Sequence, residues 1–240
     1  MVLRAALLLV AAACGAQQAS PDLARLKARM AEKRPMTWLF TGDSITHGAL
    51  HTKGWRCFPE IVAERLRQEM GRKDDIVVNT GISGDTTAGL MPDLEWRVTR
   101  FRPDVAFVMF GMNDCAKGPD LAGYEANLRK VVAEVRRQGG IPILMRVNPA
   151  IPGSPREKRV ARLGAYMEVV SRIGRDERLI VIDHFGEWNR DPKGIAPMMN
   201  DDIHPNARGH QEMAIRILRD LGLHDPKAFT GQISAPARGR

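Results

Sequence analysis

MTWLFTGDSITHG, Met36 to Gly48, runs from a nearly unbroken apolar stretch into Gly42-Asp43-Ser44. An apolar run stopped by such residues reads as a buried strand feeding a strand-to-helix loop. Glycine and aspartate are ordinary turn residues, so the stretch alone equally suits a plain turn. The choice depends on whether the rest of the chain supplies partners for the Ser44 hydroxyl.

Outward from this strand the pattern repeats. Apolar runs recur at 75–81, 104–111, 141–147 and 178–183, each nearly continuous, as in parallel strands covered on both faces. Between them, Phe58, Ile61, Val62, Leu66 and Met70 keep helical spacing. Leu121, Tyr124, Leu128, Val131, Val132 and Val135 do the same before the Gly139-Gly140 stop. A last helix opens in HPNARGH with Pro205 in its first turn and ends at Gly222. Five strand–helix alternations predict one α/β domain over 36–223, a three-layer α/β/α sandwich around a parallel sheet of about five strands. Right-handed crossovers then bring every strand's C-terminal end to one edge, where such sheets bind ligands. Residues 20–35 read as a lead-in and 224–240, without periodicity, as a flexible tail.

Composition bounds the class. An apolar share of 44% in 240 residues suits a globular protein with a sizeable core. The formal charge of +8 comes from Arg and Lys interleaved with Asp and Glu, as in RLKARMAEKR and REKRVARLG. No aromatic-basic cluster accompanies them, so the reading is a solvated surface without nucleic-acid binding, with affinity for anionic envelope material as the alternative. MVLRAALLLVAAACGAQQAS places Arg4 before a short apolar core and small residues, which predicts a signal peptide over 1–19 and an exported chain with no transmembrane segment. Cys14 leaves open a lipid-anchored form. After export Cys57 and Cys115 remain, either as a disulfide or as two buried thiols.

The same sheet edge gathers chemistry. DDIHPN places Asp201 three residues before His204, at the entrance to the last helix. A serine becomes nucleophilic at neutral pH beside a base, and the base needs an orienting partner. Asp201 in a turn can reach Nδ1 of His204 and leave Nε2 for Ser44, with Asp202 directed elsewhere. Acyl transfer also needs donors for a developing oxyanion. Candidates are the backbone N–H groups of Ser44 and of Gly84 in SGD, and the side-chain amide of Asn113 in GMND.

In this order the segments GDSIT, NTGISGDTT, GMND and DDIHPNARGH resemble blocks of the GDSL/SGNH hydrolase superfamily, across nearly the whole chain after residue 36. The resemblance implies the family's flavodoxin-like fold and a serine esterase without cofactor. Ser44 is then the nucleophile, His204 the base, Asp201 its orienting carboxylate, and Ser44, Gly84 and Asn113 the oxyanion hole. The likeness to small secreted members implies an acetylesterase or short-chain carboxylesterase acting on a small-molecule or carbohydrate acyl ester. An O-acyltransferase using the same triad is the alternative, and a non-catalytic envelope carbohydrate-binding protein a more distant one.

Other residues have plainer readings. Asp43 caps the nucleophile loop, Asn79 ties the second block together, and Asp85 does the same or lines the cleft. Gly111 is a strand-end residue that lets Asn113 turn inward. His47, His51 and His184 lack metal-ligand spacing and read as loop or surface histidines, and His210 as a packing or capping residue. GISGDTT lacks the lysine of a phosphate loop. Trp55, Trp188, Met198 and Met199 either rim the site or pack their own loops, and Arg146 meets an anionic substrate or a surface carboxylate. Loops 45–55, 148–156 and 186–200 are expected to set specificity.

Overall fold

The computed structural model describes residues 20–48 and 50–235. The predicted signal peptide and Cys14 lie outside them. The first element, α1 (Pro21–Ala31), is capped by Ser20 and buries Leu26, while Arg25 and Arg29 both donate to the Gly139 carbonyl. The lead-in is thereby fastened to the body.

Five strands follow: β1 (Thr37–Gly42), β2 (Ile76–Asn79), β3 (Val105–Met109), β4 (Ile141–Arg146) and β5 (Ile180–Asp183). They form one all-parallel sheet in the order β2-β1-β3-β4-β5. β3 is buried end to end, and β1 and β4 at all but one terminal residue each, which explains their unbroken apolar runs; β2, at the edge, leaves Ile76 60% exposed. Phe40 stacks on Phe107 across the β1–β3 pair, with ring centroids 4.3 Å apart.

The helices α2 (Phe58–Glu64), α3 (Leu121–Arg137), α4 (Leu163–Asp176) and α5 (Ala207–Leu221) complete the sandwich. The second packs with the fifth, and the third with the fourth. From β1 the chain goes one way to β2 and then crosses to β3 on the other side. That reversal opens a crevice beyond the C-terminal ends of β1 and β3.

Three expectations change. Pro205 precedes the last helix instead of lying in its first turn: Asn206 is the cap, its Oδ1 accepting the Gly209 N–H at 3.0 Å. The stretch after Glu64 continues as a π-helical turn, Arg65–Glu69. Residues 224–235 are not a loose tail, since Glu69 accepts the Thr230 N–H and hydroxyl, and Gln211 binds Ser234 and Ala235. Cys57 and Cys115 are buried free thiols, each pushed up to about 12 by that burial.

Candidate active site

At the end of β1 the chain passes directly into a one-turn helix, Ser44–His47. The junction requires glycine at 42, where a Cβ would stand 2.2 Å from the Thr46 hydroxyl and 2.4 Å from the Met109 carbonyl. Asp43 is fully buried beneath it. One carboxylate oxygen accepts the Ile45 N–H at 3.0 Å, which is the capping role expected, and the other takes the Asn113 amide at 3.4 Å. Burial pushes this carboxyl up to about 7, with Asp114 and Asp85 adding to the shift.

Across the crevice, the segment before α5 is held by a bridge between Met199 and Pro205 and by the Asn200 N–H on the His204 carbonyl, 2.8 Å. Buried Asn148, which the sequence did not single out, clamps it from the β4 side through the Ile203 carbonyl at 3.0 Å. His204 is thus delivered to Ser44. Its Nε2 lies 2.9 Å from the Ser44 Oγ, and its Nδ1 lies 2.8 Å from Asp201 Oδ2 and 3.0 Å from Oδ1. Burial acts to raise the Asp201 carboxyl, but the Ile203 N–H, the His204 ring and the His204 N–H outweigh it and hold the group low. Asp202 points away as expected, accepting the Arg156 N–H.

The oxyanion candidates converge on the same cleft of about 410 Å³, which Ser44, Gly84, Asn113 and His204 all line. Gly84 has φ 80°, a conformation few side chains tolerate, and among the described residues no acceptor takes up its N–H. Asn113 places one amide N–H against Asp43 and retains a second for the cleft. Asn79 ties the second block to the nucleophile turn through the Thr46 carbonyl, 2.8 Å.

Asp85 is turned into the fold by Arg97, a buried guanidinium 2.5 Å from its Oδ2 that also reaches the Thr80 and Gly42 carbonyls. Asp114 is likewise buried and receives Thr87 N–H and hydroxyl, 2.8 and 2.6 Å, and the Gly111 N–H, 3.1 Å. Neither Arg97 nor Asp114 was predicted. Both belong to no periodic pattern, and only the polar backbone groups they satisfy explain them.

The remaining histidines divide. His47 meets the Ser83 hydroxyl, His210 accepts the Phe58 N–H and so caps α2, and His184 is fully buried with neither ring nitrogen bonded. His51, expected as a plain loop residue, lies flat on His204. With Asp201 these two form the group of potential metal ligands among the described residues. Imidazole lone pairs lie in the ring planes, and one ion cannot lie in the planes of two stacked rings; the His204 Nδ1 is moreover engaged by Asp201, so the set does not fit a metal.

Trp55, Trp188, Met198 and Met199 do not line the cleft; Trp188 and Met199 are core residues. Arg146 is paired with Asp183 at 2.7 Å. The cleft takes Leu50 and His51 from the first expected specificity loop and Arg156 from the second, but nothing from 186–200, which coils into short helical turns.

A model of the GDSL-like lipase/acylhydrolase family matches residues 40–212. An acetylxylan esterase of Geobacillus stearothermophilus is 30% identical over 210 residues, 77% of this chain and 93% of that one. Esterase TesA of Pseudomonas aeruginosa is 28% identical, covering 70% of this chain and 79% of its own. The crystal structure of Axe2, an acetylxylan esterase from Geobacillus stearothermophilus, superposes with a TM-score of 0.66 at 27% identity, over 78% of this chain and 94% of that one. Catalytic mutants of Axe2 replace a serine, a histidine and an aspartate by alanine.

Proposed function

The chain belongs to the GDSL-like lipase/acylhydrolase family and is an ester-hydrolysing serine hydrolase, and from that premise we propose that it removes acetyl or other short acyl groups from carbohydrate through an acyl-serine intermediate. The observation that carries the mechanism is the unbroken chain from Ser44 Oγ to His204 to Asp201, at 2.9 and 2.8 Å, opening on the cleft shared by Gly84 and Asn113.

In this reading the Ser44 oxygen attacks the acyl carbonyl while His204 Nε2 takes its proton. Asp201 fixes the Nδ1–H tautomer and balances the imidazolium. The carbonyl oxygen becomes an oxyanion received by the N–H groups of Ser44 and Gly84 and the free N–H of Asn113. Collapse breaks the ester bond, and His204 returns the proton to the departing alcohol. Water then attacks acyl-Ser44, its proton passing to His204; the acyl–Oγ bond breaks, His204 returns that proton to Ser44 Oγ, and the carboxylic acid leaves. The acetylxylan esterase likeness, and the serine, histidine and aspartate mutated in Axe2, support this assignment of substrate and roles.

We also propose that the chain is exported, on the strength of its first twenty residues; no helix among the described residues is long and apolar enough to cross a membrane. Hydrolysis of p-nitrophenyl acetate and octanoate by the mature protein, beside folded Ser44→Ala, tests the mechanism and the acyl preference. Equal activity of the two proteins rejects the serine mechanism, and an octanoate preference rejects the short-acyl reading.

A further inference from the structure

The cleft is one-sided in charge. Arg156 and Arg159, on the short helix Pro155–Arg159, stand on one wall. Lys117 stands beside the oxyanion glycine, its Nζ 3.8 Å from where a Gly84 Cβ would be. Among the described residues no carboxylate lines the cleft. Asp201 sits behind His204 and is engaged by it and, at 3.3 Å, by Arg156. Among the described residues, neither Arg159 nor Lys117 has a carboxylate within 4.0 Å. Arg129, Arg136 and Arg216, by contrast, each engage two or more carboxylates. The cleft therefore carries Arg159 in its lining and Lys117 beside Gly84 as uncompensated cations.

Resting on the ester-hydrolase reading above, we propose that the substrate is an acylated sugar bearing an oxyanion on its alcohol side, with Arg159 and Lys117 as its binding residues. A guanidinium fork and an ammonium are the donors that carboxylates and phosphates require. The charge belongs on the alcohol side because a fixed anion within the short acyl group would lie against the developing oxyanion and oppose it. A sugar carboxylate (a uronic acid residue) and a sugar phosphate share this chemistry, and the experiment separates them.

The test measures kcat/KM for three acetyl esters: an O-acetylated galacturonide, an O-acetylated sugar phosphate and an O-acetylated xyloside, at about 20 and about 200 mM salt. Wild type is expected to favour one or both anionic esters over the xyloside by roughly tenfold, two exposed cations contributing a few-fold each. The favoured ester identifies the oxyanion. The preference is expected to shrink at the higher salt and to vanish in Lys117→Gln/Arg159→Gln. Lys193→Gln, which removes a charge from an exposed turn that does not line the cleft, is expected to keep it. No preference in wild type, or an equal loss in the double variant and in Lys193→Gln, overturns the inference while hydrolysis of the xyloside leaves the esterase reading standing. Inertness toward all three esters overturns both.

Discussion

The imidazole of His51 lies flat against that of His204, ring centroids 3.7 Å apart and planes within 4°. Its Nδ1 faces the Asn200 amide at 3.3 Å and Asp201 Oδ2 at 3.9 Å. Burial first, and then the neighbouring His204, lower the pKa of His51. A neutral ring is thus kept against the histidine that, as the proposed base, becomes positive during each turnover. It restricts rotation of the His204 ring from one face, while Asp201 holds the Nδ1 edge.

Removing that ring is expected to lower kcat about fivefold for His51→Ala, the worth of roughly 1 kcal/mol of ring contact, with KM less affected. His51→Phe preserves a flat face and should restore most of the rate, whereas His51→Lys puts a permanent charge beside the imidazolium and should be worse than alanine. Steady-state kinetics of the three variants decide it. Equal rates in His51→Ala and wild type mean that the stack positions nothing.

The proposed oxyanion donors give a second prediction. Asn113→Ala is expected to lower kcat by about 10²–10³ with little change in KM, the usual cost of losing one such donor. Gly84→Ala tests the same site by another route. The space is open, but φ 80° is strained for alanine, so the N–H should turn away from the oxyanion. Both variants should melt within a few degrees of wild type, and a comparable loss of KM and kcat in Asn113→Ala would instead make Asn113 a ground-state binding residue.

The sheet and the Ser44, His204 and Asp201 cluster were legible because each leaves a local signal. Continuous apolar runs mark the central strands, and residues Gly42-Asp43-Ser44 and Asp201-Asp202-Ile203-His204 keep their chemistry within a few positions. The His51 stack joins two loops distant in sequence and leaves no spacing to read. Arg97 likewise leaves no local signal: it is buried because the Gly42 and Thr80 carbonyls and Asp85 converge where only a guanidinium can serve all three. In the sequence, Trp188 and Met199 stand between two readings for the converse reason: residue type says that a side chain is large and apolar, but the path of the chain decides whether it faces the cleft or the core.

Asp43 gives a prediction on stability. Its folded pKa, about 7, lies above the ordinary carboxylate value of 3.8, so the folded state holds a proton that the unfolded chain has released. Folding therefore binds protons in this window, and the Asp43 contribution to stability falls as pH rises from about 4 to about 7. Asp43→Asn keeps an acceptor for the Ile45 N–H without the buried charge. Its melting temperature should gain on wild type more at pH 8 than at pH 5, while activity drops because the Asn113 amide loses its carboxylate partner. A melting difference independent of pH would mean that Asp43 is not protonated in the fold.

His184 and His210 act in the opposite sense. Both are fully buried, and burial lowers each to about 3, against 6.5 in the open chain. Below pH 6.5 the unfolded state takes up protons that the fold refuses, so stability is lost as pH falls from about 6.5 toward 3. The two residues separate the titration from the packing. His184 bonds through neither ring nitrogen, so His184→Leu removes a chargeable group without stranding a partner; its melting temperature should fall less than that of wild type between pH 7 and pH 5. His210 accepts the Phe58 N–H that starts α2, so His210→Leu orphans a buried donor and should be less stable than wild type at pH 7 as well. Thermal melts of the three proteins across that range test the argument. A His184→Leu curve parallel to wild type would show that this ring takes up its proton without unfolding, and acid lability would then rest on other groups.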